Sequence, residues 1–132
     1  MSKAEHKLNA KLEFIGAAQT VTGSKTMLTV NDKSILIDCG LFQGPKRVRV
    51  LNWAGFSRAK DLHCVILTHA HIDHTGYLPK LVKDGFDGAI YCSLATFELA
   101  KILLLDAAYL QEEDANYAKD RKSTRLNSSH LV

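Results

Sequence analysis

Cysteine is scarce and scattered in this sequence. Cys39, Cys64 and Cys92 are the only three, and no two of them form a CxxC pair. An odd count at such spacing excludes a disulfide framework and a zinc ribbon. Each lies in or beside an apolar run (ILIDCG, HCVIL, AIYCS), which predicts small buried hydrophobes. Long hydrophobic runs are missing as well. No stretch nears the roughly 20 apolar residues that span a bilayer. The first residues, MSKAEHKLNAK, are polar and lack the apolar centre of a secretory signal. The expectation is a soluble, cytoplasmic protein with no membrane partner.

A strong charge of either sign is also lacking. The formal net charge is +3 over 132 residues. Part of that excess sits in residues 120–132. Within them DRKSTRLNSSH matches the conceptual translation of a common sequencing adapter. Residues 120–132 are therefore expected to be a non-native, disordered tail, and His130 is not counted as a ligand. Setting aside Arg121, Lys122 and Arg125 against Asp120 lowers the net charge to +1. Charge alone then gives no support for nucleic-acid binding.

What remains is ordinary globular composition, 46% hydrophobic and 23% charged, enough for one domain or part of one. Residues 11–16 (KLEFIG), 25–30 (KTMLTV) and 34–38 (SILID) read as strands. Asn31-Asp32 makes the last two a hairpin. Residues 17–24 read as a loop, and 39–44 (CGLFQG) as a sharp bend. Residues 46–60 read as irregular with a short helix. A buried strand is expected at 64–67 (CVIL), a helix at 77–83 ending at Asp84-Gly85, and a strand at 89–92. Ser93 is placed to cap a long helix through 95–119. Strands alternating with helices predict an α/β fold.

The chemistry is concentrated in one stretch, Thr68–Gly76, THAHIDHTG. His69, His71, Asp73 and His74 put three imidazoles and a carboxylate within six residues. These are standard donors for zinc and similar divalent ions. In an extended segment His69 and His71 project to the same side, which suits two ligands on one metal. Asp73 and His74 follow at a turn, placed for a second metal. A pair of metals is the arrangement that binds a phosphodiester and activates water. Asp38 ends the SILID strand. It is either a turn former or a carboxylate that orients a ligating histidine. Lone histidines such as His6 and His63 are read as surface or core residues.

THAHIDHTG resembles the signature of the metallo-β-lactamase superfamily. FIGAAQTVTGSKTML, ILIDCGLFQG, VILTHAHIDHTGYLPKLVKDGFDGAIYC and LLLDAAYLQEEDA resemble its β-CASP ribonuclease branch. That branch includes bacterial RNA-processing enzymes and the eukaryotic pre-mRNA 3′-end endonuclease. The resemblance covers residues 11–119. It implies an αββα sandwich, of which this chain holds the N-terminal part. It implies two zinc ions, the first on His69 and His71, the second on Asp73 and His74. It gives Asp73 a catalytic role beside the attacking water and Asp38 a supporting place behind the ligands. The implied activity is RNA cleavage by a two-zinc-activated water. The alternatives are a hydrolase of the same fold acting on a thioester, lactam or small phosphodiester, or an inactive truncated fragment. The family's remaining ligands and its general acid lie downstream of a point like Lys119, so residues 1–132 alone are expected to be inactive.

Overall fold

The computed structural model describes residues 7–17 and 20–129, and side chains through Lys122. His6 and His130 lie outside the described residues, as do Ala18 and Gln19 of the expected loop. Five strands form one sheet: β1 (Ala10–Gly16), β2 (Lys25–Val30), β3 (Lys33–Ile37), β4 (Leu62–Ile66) and β5 (Ala89–Tyr91). They lie side by side in chain order. The first three pair antiparallel, and β3, β4 and β5 run parallel.

The β2–β3 hairpin turns at Asn31 and Asp32, whose φ values are 47° and 68°. Two left-handed residues match the right-handed twist of the flanking strands, and Asn and Asp tolerate that conformation best after glycine. Four helices follow: α1 (Lys46–Arg49), α2 (Ile72–Thr75), α3 (Leu78–Lys83) and α4 (Leu94–Ser129). Short 3-10 turns at Val50–Trp53 and Ala59–Asp61 fill the stretch expected to be irregular.

Strand alternation divides the sheet into two unlike faces. On one face Met27, Leu36 and Val65 stand in register across β2, β3 and β4. They are buried against Tyr77, Leu78 and Leu81 at and within α3, and against Phe56 and Phe86. On the other face Phe14, Thr26, Ile37, Ile66 and Tyr91 form the matching row. Phe14 is 66% exposed and Tyr91 60%. The structure is therefore a partial form of the expected sandwich, with both ends of this second row exposed.

Cys39 and Cys64 are buried and unbridged, as their apolar settings predict; Cys92 is only half-buried. Ser93 caps α4: its hydroxyl accepts the Thr96 N–H at 3.2 Å, and its carbonyl accepts the Phe97 N–H. α4 runs without a break from Leu94 to Ser129. The physical reason is local. Positions 94–129 contain no glycine and no proline, so nothing ends the helix at 119. Much of α4's apolar surface is exposed, including Leu99, Ile102 and Leu105. Among the described residues no helix is long and apolar enough to cross a membrane.

Candidate metal centre

The two central parallel strands end side by side, Ile37 opposite Ile66. Asp38 extends the ladder by one bond, its N–H donating to the Ile66 carbonyl at 2.8 Å. Its φ of 59° then turns the chain sharply out of the strand. Thr68 leaves the end of β4 beside it. Crevices beyond the carboxyl ends of parallel strands are where α/β proteins place ligands.

Asp38 is 4% exposed, and both of its carboxylate oxygens are engaged. Oδ1 accepts the Thr68 N–H at 2.8 Å. Oδ2 accepts the Thr68 hydroxyl at 2.7 Å and pairs with His74 Nδ1 at 2.8 Å. A carboxylate only accepts, so His74 Nδ1 carries the proton and its Nε2 holds a free lone pair. The Thr68 hydroxyl has one proton, already given to Asp38. His69 Nδ1, 2.9 Å from that hydroxyl, must therefore donate to it. His69 Nε2 is then free as well. One carboxylate fixes two imidazoles, one directly and one through a hydroxyl.

His69 and His74 lie with ring centroids 3.9 Å apart, and His69 and His71 4.8 Å apart. Asp73 Oδ2 is 3.4 Å from His74 Nε2. Asp38, His69 and His74 offer ligand atoms that all lie within 4.8 Å of one another. Of these, Asp38 already accepts three hydrogen bonds, so the imidazole Nε2 atoms are the readier donors. The donor set is neutral imidazole and carboxylate, which fits a zinc-like ion. His71 is exposed and stands at the N-terminus of α2, its carbonyl accepting the His74 and Thr75 N–H groups. Asp38, His69 and His74 thus form one group of donors, with His71 beside His69 and Asp73 beside His74 but outside that group. The closest ring pair, however, is His69 with His74, because the chain coils into α2 directly after His71 and brings His74 back.

The loop is held from behind by two others. The Ile72, Asp73 and His74 carbonyls accept the N–H groups of Leu41, Ser24 and Cys39 at 3.1, 2.9 and 2.7 Å. Gly40 lies so close that any side chain there would strike the Asp73 carbonyl. The TGS and DCG stretches are therefore the backing of the histidine loop. Two contributors escaped the sequence reading. Thr68 was signalled only by a hydroxyl next to the cluster. Lys25 was signalled by sharing β2's core-facing side with Met27.

A concavity of about 630 Å³ lies elsewhere. It runs between α3 and α4, past Trp53, Lys80, Lys83 and Leu104, and no histidine lines it. Donor chemistry locates the metal centre better than depth does.

The sequence profile of the metallo-beta-lactamase superfamily matches residues 21–126. The chain is 44% identical over 98 residues to Ribonuclease TTHA0252 of Thermus thermophilus, covering 74% of this chain and 22% of that protein. It is 38% identical over 100 residues to Transcription termination factor FttA of Cenarchaeum symbiosum, covering 73% and 15%. It is 36% identical over 98 residues to Cleavage and polyadenylation specificity factor subunit 3-II of Arabidopsis thaliana, covering 70% and 16%. The chain spans about a fifth or less of the length of these curated relatives. Profile and relatives agree that the chain belongs to the metallo-β-lactamase superfamily, in its β-CASP branch.

Proposed function

We propose that this chain supplies the first metal-ligand loop of a two-zinc ribonuclease. The observation that carries the reading is the Asp38 hub, which leaves His69 Nε2 and His74 Nε2 free on rings whose centroids lie 3.9 Å apart. In this reading His69 and His71 hold the first ion, and Asp73 and His74 the second. Bound zinc supplies Lewis acidity toward a phosphodiester and a nearby water. Asp73, in the first turn of α2 beside His74, is placed to accept a proton from that water. Asp38 and Thr68 hold the imidazole tautomers that ligation requires. RNA is the substrate class because relatives are named as a ribonuclease and a cleavage and polyadenylation factor.

Catalytic zinc takes roughly three protein ligands. Four donors from one loop do not give two ions three each, so residues 1–132 alone bind metal without turnover. The test is a chimera in which residues 21–118 replace the matching segment of the Thermus ribonuclease. Cleavage of single-stranded RNA, lost in Asp73→Ala, is the expected result. A folded, metal-loaded chimera that spares RNA but hydrolyses a thioester, lactam or small phosphodiester would overturn the substrate assignment.

A further inference from the structure

Lys25 carries a charge where the fold offers it no counter-charge. It is 4% exposed, at the start of β2 on the side that faces the core. The ion pairs among the described residues do not include it. Its ammonium instead donates to the Gly40 carbonyl at 2.7 Å. The rings of Tyr77 and Phe42 lie 4.5 and 4.8 Å away, centroid to Nζ. Buried ammonium groups are rare unless paired, because desolvation is expensive. A long side chain that snorkels to water would escape that cost. At 4% exposure this one does not.

What the ammonium grips explains its place. Gly40 sits between Cys39 and Leu41, whose N–H groups hold the His74 and Ile72 carbonyls. The Gly40 N–H donates to the Ser24 carbonyl at 3.0 Å, and the Ser24 N–H holds the Asp73 carbonyl. Among the described residues, the backbone ties that reach the carbonyls at 72, 73 and 74 from outside the histidine loop therefore run through the strap of residues 39–41 or through Ser24. Lys25 is covalently next to Ser24 and hydrogen-bonded to the middle of the strap. The two aromatic faces hold the cation in place without an anion that would compete for metal.

We propose that Lys25 is a positioning residue for Asp73 and His74, its ammonium binding the Gly40 carbonyl and thereby locking the backbone that carries both metal donors. The proposal rests on the metal-donor reading of those two residues. It assigns Lys25 no contact with substrate or metal.

Lys25→Met keeps the length and removes both the donor and the charge. Two readouts on the full chain separate positioning from general stability. The first is amide hydrogen exchange without metal. Exchange at Ser24, Cys39 and Leu41 is expected to quicken roughly tenfold or more relative to the β2–β3 ladder. The second is zinc affinity by competition with a chromogenic chelator, expected to weaken by roughly tenfold or more. Phe42→Leu, which removes one ring and leaves the hydrogen bond, is the milder variant should Lys25→Met fail to fold. It is expected to act in the same direction, less strongly. Uniform acceleration across the sheet, or zinc binding equal to the parent's, overturns the proposal. If the parent itself binds no zinc, the metal-donor reading fails, and the exchange pattern alone decides whether Lys25 positions the loop.

Discussion

Asp38 Oδ2 accepts a hydrogen bond from His74 Nδ1–H at 2.8 Å while accepting another from the Thr68 hydroxyl at 2.7 Å. The same hydroxyl accepts from His69. Two free imidazole nitrogens therefore depend on one carboxylate, which is 4% exposed and already accepts three hydrogen bonds. This dependence makes the site testable without measuring catalysis.

Asp38→Asn keeps the shape but gives only one acceptor oxygen to partners that all donate. One of them must face an amide N–H. Partners oriented behind ligands typically contribute 10–100-fold to metal affinity, so a loss of about that size is expected. Stability should fall by about 1–3 kcal/mol, the cost of an unsatisfied buried group. Chelator competition and urea unfolding read the two effects separately.

Thr68→Val removes the hydroxyl that links Asp38 to His69 and leaves the direct Asp38–His74 bond. Zinc affinity should fall less than in Asp38→Asn. In the double variant Asp38→Asn/Thr68→Val the two losses should not add, because both act through one network. Additive losses would show that Thr68 acts independently of Asp38.

Burial pushes the Cys39 thiol up from its ordinary 9.0 to about 12; Lys25 opposes the shift, and the Asp38 and Asp84 charges add to it. A raised folded-state pKa gives stability that is complete below the unfolded value and lost as pH rises toward the folded one. Stability should therefore decline between pH 9 and 12. Lys25, lowered by burial, works in the opposite sense over the alkaline range. The difference between parent and Cys39→Ala isolates the thiol. Urea midpoints measured across that window check it, and parallel pH profiles would refute it.

Asp84 is the acid-side counterpart. Burial raises its pKa, but the Tyr77 hydroxyl, the Phe56 N–H and Lys80 more than offset that and hold it below the usual carboxylate range. A lowered carboxylate contributes stability above its unfolded pKa that disappears as pH falls through the folded one. Asp84→Asn should cost about 1–3 kcal/mol at neutral pH and nearly nothing in strong acid, read by unfolding at several pH values.

Much of this architecture is legible in the sequence because short-range rules decide it. The alternation in KTMLTV and SILID sets the strands, and Asn31-Asp32 sets the hairpin between them. The histidine cluster announces its chemistry by composition alone. Long-range facts are harder to read. Nothing local says that Asp38 meets Thr68 across 30 positions, because the parallel pairing of β3 with β4 brings them together. Lys25 looks like a surface residue at a strand start until Tyr77 and Phe42 close over it. The nearest partner of His69 is not His71, since only the start of α2 decides which rings face each other.

The most direct test of the account is a zinc titration of the full chain beside His69→Ala, His74→Ala and the double variant. The parent should bind zinc, each single variant should bind roughly tenfold or more weakly, and the double variant should not bind specifically. Equal zinc binding by the parent and the double variant would contradict it.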